Sequence, residues 1–168
     1  MKDIISDEAT SSFTEIVQYR ETIEIAISII LNCFSTREII IFLLSLGGIK
    51  QENIAQQIGI SRSYVSRIIG RLHKRLNETI ENKEKVTDRP FSVKMEENWI
   101  KITFFTTDIE KLSQALEDFA ANAEEIESFR IKLTNSKVEM CFLADTTSFI
   151  YLANILQEME AAGVRIDD

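Results

Sequence analysis

The chain has 168 residues, of which 45% are hydrophobic, and this is enough to bury one large core or two small ones. Its net charge of −8 argues at first against a nucleic-acid partner, but the charge is unevenly distributed. Residues 1–35 carry two basic and six acidic side chains. Residues 36–80 carry seven basic and three acidic ones, and residues 81–168 carry ten basic and eighteen acidic ones. The positive charge is therefore concentrated in residues 36–80, and phosphate would repel both flanks.

The composition also favours a protein of the cytoplasm. Cys33 and Cys141 each lie in an apolar stretch and are far apart in sequence, so we expect buried, reduced thiols rather than a disulfide. The apolar run 39–44 is far too short to span a membrane. No membrane partner is expected.

Helical patterns occupy the first part of the chain. Residues 12–34 predict one long helix; the alternation over residues 23–29 also fits a strand, but the length of the pattern favours a helix. Ser35 and Glu38 form a capping box at the start of a second helix. Gly47 and Gly48 should end it.

Residues 51–70, QENIAQQIGISRSYVSRIIG, contain two short helical patterns separated by Gly59. Each pattern has one apolar face, formed by Ile54, Ala55 and Ile58 in the first and by Val65, Ile68 and Ile69 in the second. Ala55 is small enough for two helices to cross closely, Gly59 tolerates a positive φ at the turn, and Ser61 can cap the second helix. This spacing predicts a helix-turn-helix.

The second of these helices should continue well beyond the motif. Leu72, Leu76 and Ile80 extend its apolar stripe to about residue 83. Two interpretations stay open: the extension forms a dimer seam, or it packs on the N-terminal helix of the same chain.

Residues 81–90 are charged, contain the only proline and lack apolar periodicity, so they mark the best domain boundary. We predict an α+β protein with an all-α domain over residues 1–85 and a second domain over residues 86–168. A hairpin directly after a recognition helix can also form a wing. Here its tip, residues 96–98, is acidic, which favours a place in the second domain.

The second domain has the pattern of an internal repeat. Residues 91–105 and 129–143 each predict a β-hairpin, and each is followed by a helical pattern. The hairpins correspond at a shift of 38 positions and the helices at a shift of 40. A duplicated ββα unit is therefore expected, forming a four-stranded antiparallel sheet with two helices on one face. Residues 164–166 can add a short edge strand.

The run GISRSYVSRI, with the preceding STREIIIFLL and IKQENIAQQ, resembles region 4 of the sigma-70 family, most closely its sporulation-type members. The resemblance covers about residues 35–77. It implies a transcriptional regulator that uses a region-4-like helix-turn-helix. No sigma region 2 is recognised, so a complete sigma factor is not implied.

If the second helix enters the major groove, its outward side chains meet base edges, and Arg62 and Arg67 can each pair with a guanine. Other basic side chains would contact the phosphate backbone. The predicted DNA-binding residues are Lys50, Gln51, Ser61, Arg62, Ser63, Tyr64, Ser66, Arg67, Arg71, Lys74 and Arg75.

No catalytic constellation, phosphate loop or metal-ligand spacing is present, so we predict neither enzymatic activity nor a cofactor or metal. The expected partners are double-stranded DNA, a second copy of the chain in a homodimer, and a small-molecule or protein effector at the second domain. The alternative is a protein-interaction module that binds RNA polymerase or another regulator and not DNA directly. Dimerisation can use the helix at residues 61–83 or the second domain.

Overall fold

The computed structural model describes residues 13–82, 84, 87, 89–122 and 127–167, without the side chains of residues 13–19 and 119–122. Ser12, the first residue of the predicted helix 12–34, lies outside these residues. The chain is α+β, as predicted. In order, its elements are α1 (Phe13–Cys33), α2 (Thr36–Leu46), α3 (Gln51–Ile58), α4 (Arg62–Glu81), β1 (Ser92–Glu96), β2 (Trp99–Phe105), α5 (Ile109–Asn122), β3 (Phe129–Thr134), β4 (Lys137–Leu143) and α6 (Thr146–Ala162).

Helix α2 is buried almost all round. The predicted capping box is present, since the Glu38 N–H donates to Ser35 Oγ and the Ser35 N–H to Glu38 Oε1. Six consecutive residues, from Ile39 to Leu44, are buried, because α2 contacts α3, α4 and α6. Among the helices of the described residues, none is both long and apolar enough to cross a membrane.

The four strands form one antiparallel sheet in the order β1-β2-β4-β3. Inward and outward residues alternate, and the buried ones come from the inward positions of each strand. Helix α6 packs on the inward face, where Phe149 contacts Phe142 and Tyr151 contacts Phe129. The hairpin after α4 therefore belongs to this sheet and does not stand apart as a wing.

Helix α1 covers the β1 edge of the sheet with polar contacts. The Asn32 side chain accepts a hydrogen bond from the Phe91 N–H at 2.8 Å and donates one to the Phe91 carbonyl at 3.0 Å. Glu24 accepts from the Met95 N–H at 2.8 Å. Because these backbone groups would otherwise face outward from an edge strand, α1 takes the place of a further strand.

The buried residues of the helical part and of the sheet part form one continuous cluster. The composition change at residues 81–90 thus coincides with the change from helices to strands, and the two parts share a packed interface. Residues 83, 85, 86 and 88 lie outside the described part of the chain. The division into two domains stays a prediction, since a shared interface is compatible with one or two folding units.

The alternating stretch 23–29 is helical within α1, as the length of the pattern predicts. Local predictions differ from the structure at two other places. Residues 164–166 add no strand, and the tail instead forms a single bridge between Phe105 and Asp167. The thiols of Cys33 and Cys141 are free but only partly buried, because Cys141 lies on the outward side of β4.

Two glycine substitutions should affect stability in opposite directions. A Cβ at Gly47 would lie 2.4 Å from Ile150 Cγ1 and 3.2 Å from the Thr146 carbonyl oxygen. We therefore expect Gly47→Ala to lower the free energy of unfolding by about 1–3 kcal/mol. At Gly70, inside α4, a Cβ would meet open space, so Gly70→Ala should raise it by about 0.5–1 kcal/mol. Urea unfolding measures both free energies of unfolding. If Gly47→Ala changed the free energy of unfolding in the same way as Gly70→Ala, the close contact between α2 and α6 at Gly47 would be contradicted.

The contribution of the C-terminal tail to stability should decrease as the pH falls. Asp108 accepts a hydrogen bond from the Arg165 N–H at 2.9 Å, and this bond is the main cause that lowers the pKa of Asp108. A lowered pKa stabilises the fold above the unfolded value of about 3.9, and this contribution is lost as the pH falls through the folded value. Wild type should therefore be more stable than Asp108→Asn at pH 7, with the difference shrinking towards pH 3. Urea midpoints test this, with Glu110→Gln in the first turn of α5 as the control.

Candidate nucleic-acid interface

Helices α3 and α4 are joined by a tight turn whose geometry follows from two residues. Gly59 is left-handed, with φ 84°, and its N–H donates to the Ala55 carbonyl at 2.8 Å. Ser61 is the N-cap of α4, since its Oγ accepts from the Tyr64 N–H at 3.2 Å. Ala55 is buried at the crossing, as its small size predicts. These residues hold the N-terminus of α4 at the surface.

The first turns of α4 expose a polar surface beside the start of α3. The buried side of α4 is formed by Val65, Ile68, Ile69, Leu72 and Leu76. Four predicted site residues on the opposite side, Arg62, Ser63, Ser66 and Arg67, line a shallow depression of about 680 Å³ together with Gln51. The structure therefore brings together five of the residues that the sequence singled out.

Arg67 and Tyr64 form a pair on this surface. The Arg67 guanidinium lies 5.6 Å from the centre of the Tyr64 ring, and Tyr64 is 41% exposed. The tyrosine holds the arginine by a cation–π contact while leaving its hydrogen-bond donors accessible. Such a pair can present a guanidinium to a phosphate, a base edge or a carboxylate.

Arg71 and Arg75 are directed differently. Arg71 forms a salt bridge with Glu38 of α2. Arg75 approaches the Cys33 carbonyl at 3.4 Å and stacks over Phe34, 5.8 Å from its ring centre. Both arginines thus contact the junction of α1 and α2. Of the other predicted phosphate contacts, Lys50 and Lys74 are exposed.

Two further residues position this interface, and the sequence did not single out either for that role. Glu38, recognised only as a helix cap, also holds Arg71 of α4. Gln57 of α3 donates a 2.7 Å hydrogen bond to Gln157 of α6, which connects the helix-turn-helix with the second half of the chain. Both contacts join residues that are distant in sequence, so no local pattern indicates them.

His73 lies against Phe42, with 5.0 Å between ring centres, and so packs beside the core. No group of three His, Cys, Asp or Glu side chains within the described ranges could hold a metal ion.

A comparison of the chain with models of protein families, with characterised proteins and with solved structures gives no match.

Proposed function

We propose that the protein is a sequence-specific DNA-binding transcriptional regulator of the cytoplasm that uses a helix-turn-helix like that of sigma region 4. The observation that carries the proposal is the surface formed by Gln51, Arg62, Ser63, Ser66 and Arg67 at the exposed start of α4. It lies in the one segment with net-positive charge, residues 36–80. A capped helix that presents arginines and serines from its first turns has the form that major-groove recognition needs.

The roles of the side chains follow from their positions. Arg62 and Arg67 are each proposed to bond guanine O6 and N7, at about 1–3 kcal/mol of discrimination apiece. Ser61, Ser63, Tyr64 and Ser66 serve base edges or phosphates, and Lys50 and Lys74 the backbone. Arg71 and Arg75 are proposed to attract DNA mainly through the positive electrostatic potential that they add near α4, because both already have partners within the chain.

The second half is proposed to be a duplicated ββα unit. The two hairpins have the same strand register. Val93 pairs with Ile102 in the first hairpin, and the residues 38 positions later, Ile131 and Met140, pair in the second. Within the described ranges, two non-glycine residues have a positive φ, Glu97 and Asn135; they are also 38 positions apart and occupy the two hairpin turns. Such correspondence is expected from an internal repeat.

This second half is proposed to dimerise the protein and receive an effector. A cavity of about 370 Å³, lined mostly by apolar side chains that include Phe34, Phe91 and Met159, lies between the α1–α2 junction and α6. Its size and position suit a small apolar ligand. Occupancy there could change how α2, and with it the helix-turn-helix, sits on α6.

One observation favours the alternative, a module that binds RNA polymerase or another regulator. Tyrosine and arginine are common at the centres of protein interfaces, and the exposed Tyr64 lies against Arg67. An acidic protein surface would also suit this pair. DNA is preferred because the serines and Arg62 surround the same depression.

DNA binding should depend on Arg62 and Arg67. With random duplex DNA we expect affinity to fall steeply with salt, and Arg62→Ala with Arg67→Ala should weaken binding at every salt concentration. Fluorescence anisotropy of a labelled duplex measures this. Arg89→Ala with Lys111→Ala, which removes two charges outside the helix-turn-helix, is the matched control. No affinity at low salt, or an unchanged affinity in the first variant, would refute DNA binding.

The protein should form a homodimer, because one helix-turn-helix alone buries too little DNA surface for tight, specific binding. We expect size-exclusion chromatography with light scattering to give twice the chain mass of 19.3 kDa at micromolar concentration. A monomer under these conditions would contradict this part of the proposal.

A further inference from the structure

The outward face of the sheet is basic, although the surrounding part of the chain is acidic. Residues 89–167 contain eight basic and fourteen acidic side chains. Five basic side chains lie at outward strand positions, against two acidic ones, Glu96 and Glu139. The five are Lys94, Lys101, Arg130, Lys132 and Lys137. No outward residue of the four strands is buried, so this charge faces solvent.

One row of outward residues crosses all four strands: Lys94, Lys101, Cys141 and Arg130. Strands lie about 4.8 Å apart, so the row extends over about 14 Å. Lys94 lies directly opposite Lys101. Like charges at opposed positions destabilise a sheet, and an anion bound between them would remove this repulsion. Lys101 is also paired with Glu139, so Lys94 is the lysine of this pair that is available to an added anion.

Glu139 does not neutralise the positive charge of the outward sheet face. Its carboxylate lies 3.3 Å from Lys101 Nζ and 3.6 Å from Lys137 Nζ, so two lysines already offset its charge. The hydrogen bond from Lys101 is the main cause that lowers the pKa of Glu139. Lys94, Arg130 and Lys132 add positive charge on the two edge strands.

A planar platform lies beside the row of cations. The Arg130 guanidinium lies over the half-buried Trp99 ring, 5.0 Å from its centre. Both groups border a groove of about 580 Å³ whose lining also includes two lysines, Lys101 and Lys132, and three carboxylates, Glu96, Glu97 and Glu139. The phosphates are therefore placed along the row of cations and away from the acidic hairpin tip at Glu96 and Glu97. Nucleic-acid bases stack on tryptophan rings and on guanidinium planes, and each stacked base contributes about 1–3 kcal/mol.

We infer that this face binds single-stranded nucleic acid, with phosphates along the row of cations and a base stacked on the pair of Trp99 and Arg130. An acidic peptide could pair with the lysines but has no base to stack on Trp99 and Arg130. A nucleic acid can do both, because it carries phosphates and bases. The surface lies on the side of the sheet away from α6 and shares no residue with the helix-turn-helix. The inference therefore does not depend on the proposed function.

Trp99 provides a local measurement, because it is the only tryptophan in the chain. Titration with an eight-nucleotide oligothymidylate should quench its fluorescence in a saturable, salt-dependent way. Arg62→Ala with Arg67→Ala should leave this quenching unchanged, which separates the sheet face from the helix-turn-helix. An eight-residue polyglutamate serves as the competitor with a similar number of negative charges and should displace the oligonucleotide only weakly.

The charge requirement is tested by Lys94→Ala with Lys132→Ala, which leaves Trp99 and Arg130 in place. We expect about tenfold weaker binding at low salt and a salt slope shallower by about 1.4, since single strands contribute about 0.7 per phosphate contact. Removal of the opposed lysine should leave stability to urea unchanged or increased. Arg89→Ala with Lys111→Ala again provides the matched control.

The stacking requirement is tested in the background of Arg62→Ala and Arg67→Ala, by anisotropy of the labelled oligonucleotide. Trp99→Phe should retain binding and Trp99→Ala should lose it. Three results would overturn the inference: no quenching, equal affinity after loss of Lys94 and Lys132, or displacement by polyglutamate as effective as by unlabelled oligonucleotide. The last result would assign the face to an acidic peptide.

Discussion

The packing of α2 against α6 is the contact on which the rest of the structure depends. Helix α6 lies between the sheet and α2, and so it is apolar on opposite sides: Ile155 is fully buried, and Ala153 is as well. Helix α2 is enclosed by α6 and by the helices of the helix-turn-helix. Gly47 permits this approach, because any larger side chain there would meet Ile150. A full burial of each leucine or isoleucine contributes about 1.5–3 kcal/mol, so this interface binds the two halves strongly.

This arrangement decides which surfaces remain accessible. The inward face of the sheet is covered by α6, and the β1 edge is covered by α1 through Asn32 and Glu24. The outward face of the sheet and the outward side of α4 stay exposed. Both carry a local excess of positive charge in a chain whose net charge is −8. An anionic partner is therefore attracted to two separate surfaces and repelled by much of the remainder.

Sequence patterns of four or five residues were enough to predict much of the secondary structure. The turn at Gly59, the caps at Ser35 and Ser61 and both hairpins follow from side chains and backbone preferences within four or five positions. The candidate site was predicted to the same extent: Arg62, Ser63, Ser66 and Arg67 share one surface because they follow one helical face. The alternating stretch in α1 was ambiguous, because a buried helix and a strand present similar short apolar patterns.

By itself, the sequence determined the α+β class, the helix-turn-helix geometry and the concentration of positive charge around it, since these depend on local spacing and on composition. Only the tertiary structure decided that α2 and α6 form a common core, that Arg71 pairs with Glu38, and that β2 pairs with β4. It also decided that Lys94, Lys101 and Arg130 share a row beside Trp99. These contacts join residues that are distant along the chain. Which elements pair is decided by the burial of the apolar faces of the helices and the sheet, and no short sequence motif specifies it.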